Sequence, residues 1–376
     1  MLDPLTPSPL ILLAAGGTGG HLFPAEALAV ELIRRGLRVR LVTDARAQRY
    51  SGLFSSDTID VVPSATVRGR TPWSLARTGF ILAAGTAVSL QLMRRLKPSA
   101  VVGFGGYPTL PPLLAARLVG VPGLIHDANA VLGRANRLLS RHVSAIATAL
   151  PGVLDRDPQL SAKTTLVGTP LRPAVLAAAA VPYNAPDPAG RLRLLVVGGS
   201  QGARVMADIV PGAIERLAPA MWRRLILTQQ VREEDLARVR AVYNRLGLDV
   251  ELAPFFADLP ARLASSQLVI SRSGAGTVAE LAAIGRPSIL VPLPGSIDQD
   301  QFANAGVLAQ AGGALRMAQA EFTAERLAAE ITAFCAEPER LAAMAAGARM
   351  VGRLYAAERL ADLVMKVAGI EPIAAI

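Results

Sequence analysis

Short apolar runs alternate with longer amphipathic stretches along most of the chain. Residues 10–15 predict a strand, and the apolar–charged pattern of 24–35 predicts a helix that Gly36 ends. Residues 37–43 predict a second strand and 57–63 a third, followed by a loop over 64–72 that carries Arg68 and Arg70. Residues 73–96 predict a long helix rich in Leu, Ile, Phe and Ala, with Arg77, Arg94, Arg95 and Lys97 towards its ends. A strand at 100–104, a helix at 113–119, a strand at 123–126 and a turn into a helix over 129–140 follow. Strands alternating with helices predict an α/β fold built on a doubly wound parallel sheet.

The plan then begins again. Residues 166–173 form a connector, and 181–190, rich in Pro, Ala and Asp, predict a linker. The apolar run 192–197 leads into Gly198-Gly199-Ser200-Gln201-Gly202-Ala203, just as 10–15 leads into Gly16-Gly17-Thr18-Gly19-Gly20-His21. Strands at 225–228, 267–271 and 288–292, a helix at 278–284 and a helical tail from Phe322 complete the second half. Two openings of one design predict two similar domains facing one another. The expected division is 1–168 with 356–376, and 169–355.

Composition narrows the function classes. At 376 residues the chain is long for one core. Its 52% hydrophobic content and mean hydropathy of +0.38 exclude a disordered chain. The single Cys335 excludes a disulfide framework and a cysteine metal cluster. Asp3, with no basic segment around it, makes 10–15 a strand rather than a signal peptide. The uncharged segment between Arg77 and Arg94 falls short of the roughly 20 apolar residues of a membrane helix. A formal charge of +10 points either to an anionic partner (nucleic acid, anionic lipid or a phosphorylated ligand) or to a generally basic proteome.

The chemistry concentrates at glycines. A strand, glycine turn and helix bring bare backbone N–H groups to a phosphate, and His21 adds a titratable group there. A dinucleotide fingerprint is excluded because Leu22 occupies its third glycine position, although Asp44 follows the second strand as a ribose acid would. Thr277 and Glu280 have capping-box spacing at the second candidate turn, and Glu280 also suits a pair of sugar hydroxyls. Asp298-Gln299-Asp300 has the form of a metal-binding triplet or of a polar loop. Residues 73–96 fit a buried helix or a membrane-surface patch of Arg68, Arg70, Trp73, Arg77, Phe80, Ile81 and Leu82.

Together these motifs resemble the MurG family of peptidoglycan glycosyltransferases, from about residue 10 to residue 361. They are 16–21 with Pro24, Gly103-Phe104-Gly105-Gly106-Tyr107, His126-Asp127-Ala128-Asn129 with Gly133 and Asn136, 198–203, 272–280, and Gln301 with Asn304-Ala305. The resemblance implies two Rossmann-like domains in the GT-B arrangement, with the last helix returning to the first. It implies an inverting transferase that moves N-acetylglucosamine (GlcNAc) from its UDP form to lipid I, making lipid II, on the cytoplasmic face of the bacterial inner membrane. Donor contacts would come from Thr18, Gly19, Gly20, Asn129, Arg172, Ser200, Phe256 through its backbone, Ala275, Gly276, Thr277, Val278, Ala279, Glu280 and Gln301. Gly16, Gly17, Gly105, Gly106 and Tyr107 would face the acceptor diphosphate.

The chain departs from the family pattern at Asp127-Ala128, where Glu-Gln is usual, at Thr169 before Pro170, and at Asp300 before Gln301. Displacement at the anomeric carbon needs a base for the acceptor hydroxyl and support for the departing UDP. His21 is the expected base, with Asp127 second. Helix N-termini and Arg172 would stabilise the leaving group, with no metal and no cofactor. Alternatives are a GT-B enzyme with another lipid acceptor and a non-catalytic UDP-sugar-binding subunit that docks on a membrane partner. No nucleic-acid partner is expected.

Overall fold

The computed structural model describes residues 8–16, 19–45, 54–65, 71–187, 189–199 and 202–371. Gly17, Thr18, Arg68, Arg70 and Ser200 lie outside the described residues. The chain divides after Arg172, and again after Arg353, into two compact units.

The first unit holds strands β1 (Leu10–Ala14), β2 (Arg38–Thr43), β3 (Ile59–Val61), β4 (Ala100–Gly103), β5 (Gly123–Asp127), β6 (Ala145–Thr148) and β7 (Thr164–Leu166). All pair in parallel, in the order β3-β2-β1-β4-β5-β6-β7. Its helices are α1 (Gly19–Arg34), α2 (Pro72–Leu96), α3 (Leu110–Leu118), α4 (Arg134–Leu139) and α5 (Pro158–Ser161). The second unit holds α6 (Pro173–Ala179), β8 (Leu192–Val197), α7 (Arg204–Glu215), α8 (Pro219–Trp222), β9 (Leu225–Gln230), α9 (Glu233–Arg245), β10 (Glu251–Ala253), α10 (Leu259–Ser265), β11 (Leu268–Ser271) and α11 (Ala275–Ile284). It continues with β12 (Ser288–Leu290), α12 (Asp300–Gln310), β13 (Ala314–Arg316), α13 (Ala324–Ala336) and α14 (Pro338–Val351). Its parallel order is β10-β9-β8-β11-β12-β13. The last helix, α15 (Ala356–Val367), packs in the first unit.

Each sheet is buried on both faces, and this is why its strands are almost uniformly apolar. Along β1, Ile11 and Leu13 join the α1 and α15 layer, while Leu10 and Leu12 join the α2 and α3 layer. Arg35 ties α15 down through Asp362 at 2.5 Å and the Glu358 carbonyl at 3.2 Å. In both sheets the order reverses beside the first strand, between β1 and β4 and between β8 and β11. Open α/β sheets bind ligands at the carboxyl ends of such strands.

Three sequence expectations are corrected here. Helix α1 starts at Gly19 rather than Pro24; the proline deletes only the bond to the Gly20 carbonyl, just beyond the first turn. Helix α2 spans 25 residues, long and apolar enough for a membrane span by length and composition alone. Its second half is part of the unit's core, with Leu92 and Met93 buried against the α3 layer. Residues 181–190 do not separate the units. Tyr183 packs on the second core, and its hydroxyl donates to the Gln267 carbonyl at 3.0 Å.

One buried cation holds that segment. Arg286 is 1% exposed. It donates to the carbonyls of Leu263 and Ala264 at the end of α10, of Ile284 and Gly285 at the end of α11, and of Val181 and Pro182. The carbonyl ends of two helices supply the negative potential that an acid otherwise would. Burial, reinforced by nearby Arg349, lowers its pKa to about 10. Lysine lacks the planar fork, so Arg286→Lys is expected to destabilise the second unit by about 3 kcal/mol. Denaturant unfolding followed by Trp222 in a Trp73→Phe background measures this. A midpoint equal to the parent's would contradict it.

Candidate active site

In the first unit two backbone turns meet at the carboxyl ends of β1 and β4. The Gly16 N–H donates to the Gly105 carbonyl at 3.2 Å, and the Phe104 N–H to Ala14 at 2.8 Å. A Cβ on Gly16 would stand 3.3 Å from the Gly106 Cα. Gly105 and Gly106 take φ of 93° and 76°, values that side chains disfavour. Into this shelf falls His21, from the first turn of α1. A Cβ on Gly105 would lie 3.1 Å from its Cε1, and one on Gly106 would lie 3.4 Å from its Cδ2.

Loss of solvent pushes the His21 pKa below 6.5, against the opposing pull of the Asp127 charge and a hydrogen bond with the Phe104 backbone. The imidazole is therefore neutral at pH 7 and able to take a proton. Behind it His126 is buried, with its ring 5.5 Å from that of Phe104 and its Nε2 2.8 Å from the Gly168 carbonyl. Burial lowers its pKa as well.

Asp127 ends β5 at 2% exposure. Its Oδ1 accepts from the Asn129 N–H at 3.0 Å, and its Oδ2 accepts from Gly133 N–H at 2.8 Å and Asn136 Nδ2 at 3.0 Å. A carboxylate so occupied staples the loop 127–136 and its charge acts on His21. Asn129 sits inside this staple. Tyr107 opens the turn Tyr107–Thr109 and packs on the α3 layer. Arg172 lies 4.1 Å over the Phe23 ring, and Phe23 rests on Gly19, where a Cβ would be 3.0 Å from the ring. The cation is thereby held beside the start of α1.

In the second unit α11 starts at Ala275, with Gly274 as its N-cap. Thr277 is the third helical residue, so the capping box expected with Glu280 is not formed: the helix begins three residues early and no side chain caps it. The first backbone bond of the helix is that of the Val278 N–H to the Gly274 carbonyl, at 3.0 Å. The amides of Ala275, Gly276 and Thr277 precede it, the arrangement that receives an anion. Val278 is buried at 1% exposure, and Ala279 and Glu280 are partly exposed on the same helix.

Helix α12 is fastened to that turn. Ser273 Oγ donates to the Gln301 carbonyl at 2.8 Å, and Asn304 Nδ2 donates to the Ser273 carbonyl at 3.3 Å. The Leu293 N–H donates to Gln301 Oε1 at 3.0 Å, directing its Nε2 to donate elsewhere. Asp298 and Gln299 both take φ of 54° just before α12, and Asp300 Oδ1 accepts from the Gln301 N–H at 2.7 Å. Phe256 is buried under Arg262, whose guanidinium lies 4.4 Å from the ring centre. Phe255, beside it, is exposed. Sequence reasoning placed Ser273 in the 272–280 motif but did not single it out as the residue that fastens α12, since a lone serine after a strand has no readable signature.

On α2, Trp73 and Phe80 are 82% and 77% exposed, with exposed Arg77 between them. Leu82 packs on the α3 layer, and Ile81 is half-buried.

Comparison with known proteins agrees with this geometry. The N-terminal domain of glycosyltransferase family 28 matches residues 11–148, and its C-terminal domain matches residues 193–364. The UDP-N-acetylglucosamine–N-acetylmuramyl-(pentapeptide) pyrophosphoryl-undecaprenol N-acetylglucosamine transferase of Bradyrhizobium diazoefficiens is 77% identical over 363 residues, 96% of this chain and 99% of that one. The protein of the same name from Rhodopseudomonas palustris is 76% identical over 366 residues, 97% of this chain and 100% of that one. The crystal structure of Acinetobacter baumannii MurG superposes with a TM-score of 0.78 at 30% identity, covering 95% of this chain and 99% of that one. With two doubly wound units, a histidine on a glycine shelf and relatives of this identity over nearly all its length, the chain belongs to the MurG family of glycosyltransferases, within family 28.

Proposed function

We propose that this chain transfers GlcNAc from UDP-GlcNAc to the 4-hydroxyl of the N-acetylmuramoyl group of lipid I, forming lipid II for peptidoglycan synthesis. The observation that carries the reading is His21: a neutral imidazole seated on the Gly105–Gly106 backbone, at the switch point of the first sheet. His21 takes the hydroxyl proton as that oxygen bonds to the anomeric carbon. The bond from that carbon to UDP breaks, and the electron pair leaves on the β-phosphate. Configuration inverts because one displacement occurs.

The second unit is the donor side of this reading. The amides of Ala275, Gly276 and Thr277, with Ser200 and Arg172, would carry the diphosphate charge as it grows. Glu280 would accept from the ribose hydroxyls, and Phe256 would meet the uracil through its backbone. Gln301 Nε2 and Asn129 would hold the GlcNAc, next to Thr18-Gly19-Gly20. The first unit is the acceptor side, with Gly16, Gly17, Gly105, Gly106 and Tyr107 around the lipid's diphosphate.

A polyprenyl diphosphate stays in the bilayer, so the enzyme must come to the membrane. The α2 face of Trp73, Arg77 and Phe80, with Arg68 and Arg70 before it, has the apolar and basic character of an interfacial anchor. This supports a peripheral location on the cytoplasmic face of the inner membrane.

With UDP-GlcNAc and a lipid I analogue, the parent protein is expected to form the β-1,4-linked disaccharide; UDP release without it would favour another acceptor. His21→Asn is expected to lower turnover by about 100-fold or more while UDP affinity stays within severalfold of the parent. Parent-like turnover would remove His21 from the role of base. Because the His21 pKa lies below 6.5, activity should rise with pH along a limb centred on the acid side of 6.5. A limb centred above 7 would contradict the geometry. Binding to anionic vesicles should fall with salt and should weaken about tenfold or more in a Trp73→Ser, Phe80→Ser variant. Unchanged binding would place the membrane contact elsewhere.

A further inference from the structure

Gln230 ends β9 beside the glycine turn that follows β8, and it is 6% exposed. Every hydrogen-bonding group of its amide is used on backbone. Its Oε1 accepts from the Gly198 N–H at 2.8 Å, and its Nε2 donates to the Gly199 carbonyl at 3.1 Å and to the Pro254 carbonyl at 3.0 Å. One side chain therefore joins two loops that leave different strands. The first follows β8, where the Gly202 N–H donates to the same Gly199 carbonyl at 3.0 Å. The second, after β10, leads in two residues to Phe256.

The glycines on either side are tightly placed. Gly199 and Gly202 take φ of 90° and 67°, and a Cβ on Gly198 would stand 2.1 Å from the Ala203 nitrogen. The Gly198 amide and the Gly199 carbonyl are both tied to this one side chain. We propose that Gln230 is a positioning residue that fixes the spacing between the diphosphate turn and the nucleobase segment, so that a uridine nucleotide is gripped at both ends at once. The inference rests on the donor reading above. It adds a residue that touches no substrate and acts through the backbone of Gly198, Gly199 and Pro254.

The three bonds require an amide. A carboxylate would face two carbonyl oxygens, and an aliphatic side chain would take the side-chain partner from the Gly198 N–H and the Pro254 carbonyl and leave the Gly199 carbonyl only its bond from the Gly202 N–H. Asparagine is one methylene too short to keep both loops.

The test uses the full chain, with UDP and uridine titrated separately by calorimetry, alongside transfer kinetics. In Gln230→Met, affinity is expected to fall about tenfold or more for both ligands. KM for the sugar nucleotide should rise in step, with kcat within about threefold and the acceptor KM unchanged. In Gln230→Glu, uridine affinity should be weak at pH 7.5 and recover on acidification, because the protonated carboxyl regains one donor. The parent's uridine affinity should stay flat over the same range. A folded Gln230→Met with parent-like uridine affinity, or a Gln230→Glu with no acid recovery, would overturn the assignment. If Gln230→Met does not fold, the reversible recovery within a single Gln230→Glu sample decides. A parent that binds UDP beside parent-like variants would sink only the role of Gln230, whereas a parent that binds neither UDP nor uridine would sink the donor reading too.

Discussion

The first unit depends on a backbone approach that only glycine permits. Gly16 and Gly105–Gly106, from neighbouring strands, stand close enough for the Gly16 amide to reach the Gly105 carbonyl, and any Cβ between them would press on a neighbour's backbone or on the His21 ring. The imidazole takes the space that the missing side chains leave. Its position is set by the sheet, since β1 and β4 pair from Ile11–Ala100 to Ala14–Gly103 and so deliver the two turns side by side. The pairing of strands thus places the His21 imidazole.

The second unit repeats the architecture with different chemistry. There the strand beside β8 is β11, and its turn opens an uncapped helix in place of a second glycine shelf. No histidine stands there, and Glu280 projects from the helix instead. The supports also differ. Asp127, Asn136 and His126 hold the first site from behind, each buried and bonded to backbone. In the second unit neutral amides and a hydroxyl, from Gln230, Asn304 and Ser273, do this work. The start of α11, next to Ser273, adds the positive end of a helix dipole. Arg286 follows the same logic, being a cation balanced by helix carbonyl ends.

Much of this was legible in the residues. The glycine doublets after apolar runs marked the switch points, because few other functions need a glycine directly after a buried strand. Alternating strands and helices gave the doubly wound sheets. What escaped had physical reasons. Strands β7, β10 and β13 are three residues each, too short to show a period. Thr277 and Glu280 matched a capping box by spacing alone, and spacing does not reveal that a helix begins at Ala275. The amide partners of Asp127 escaped because only the fold brings Gly133 and Asn136 near it. The packing of Leu82 on the α3 layer escaped because an apolar residue on a half-buried helix gives no sign of which way it points.

The central claim is that the glycine shelf delivers His21 as a neutral base. With three histidines in the chain, NMR titration of the imidazoles is tractable, and His21→Asn assigns the signal. The account predicts a His21 pKa below 6.5, rising towards that value when Gly105→Ala pushes the ring outward. A His21 that titrates above 7 in the parent protein, or one that is insensitive to Gly105→Ala, would contradict it.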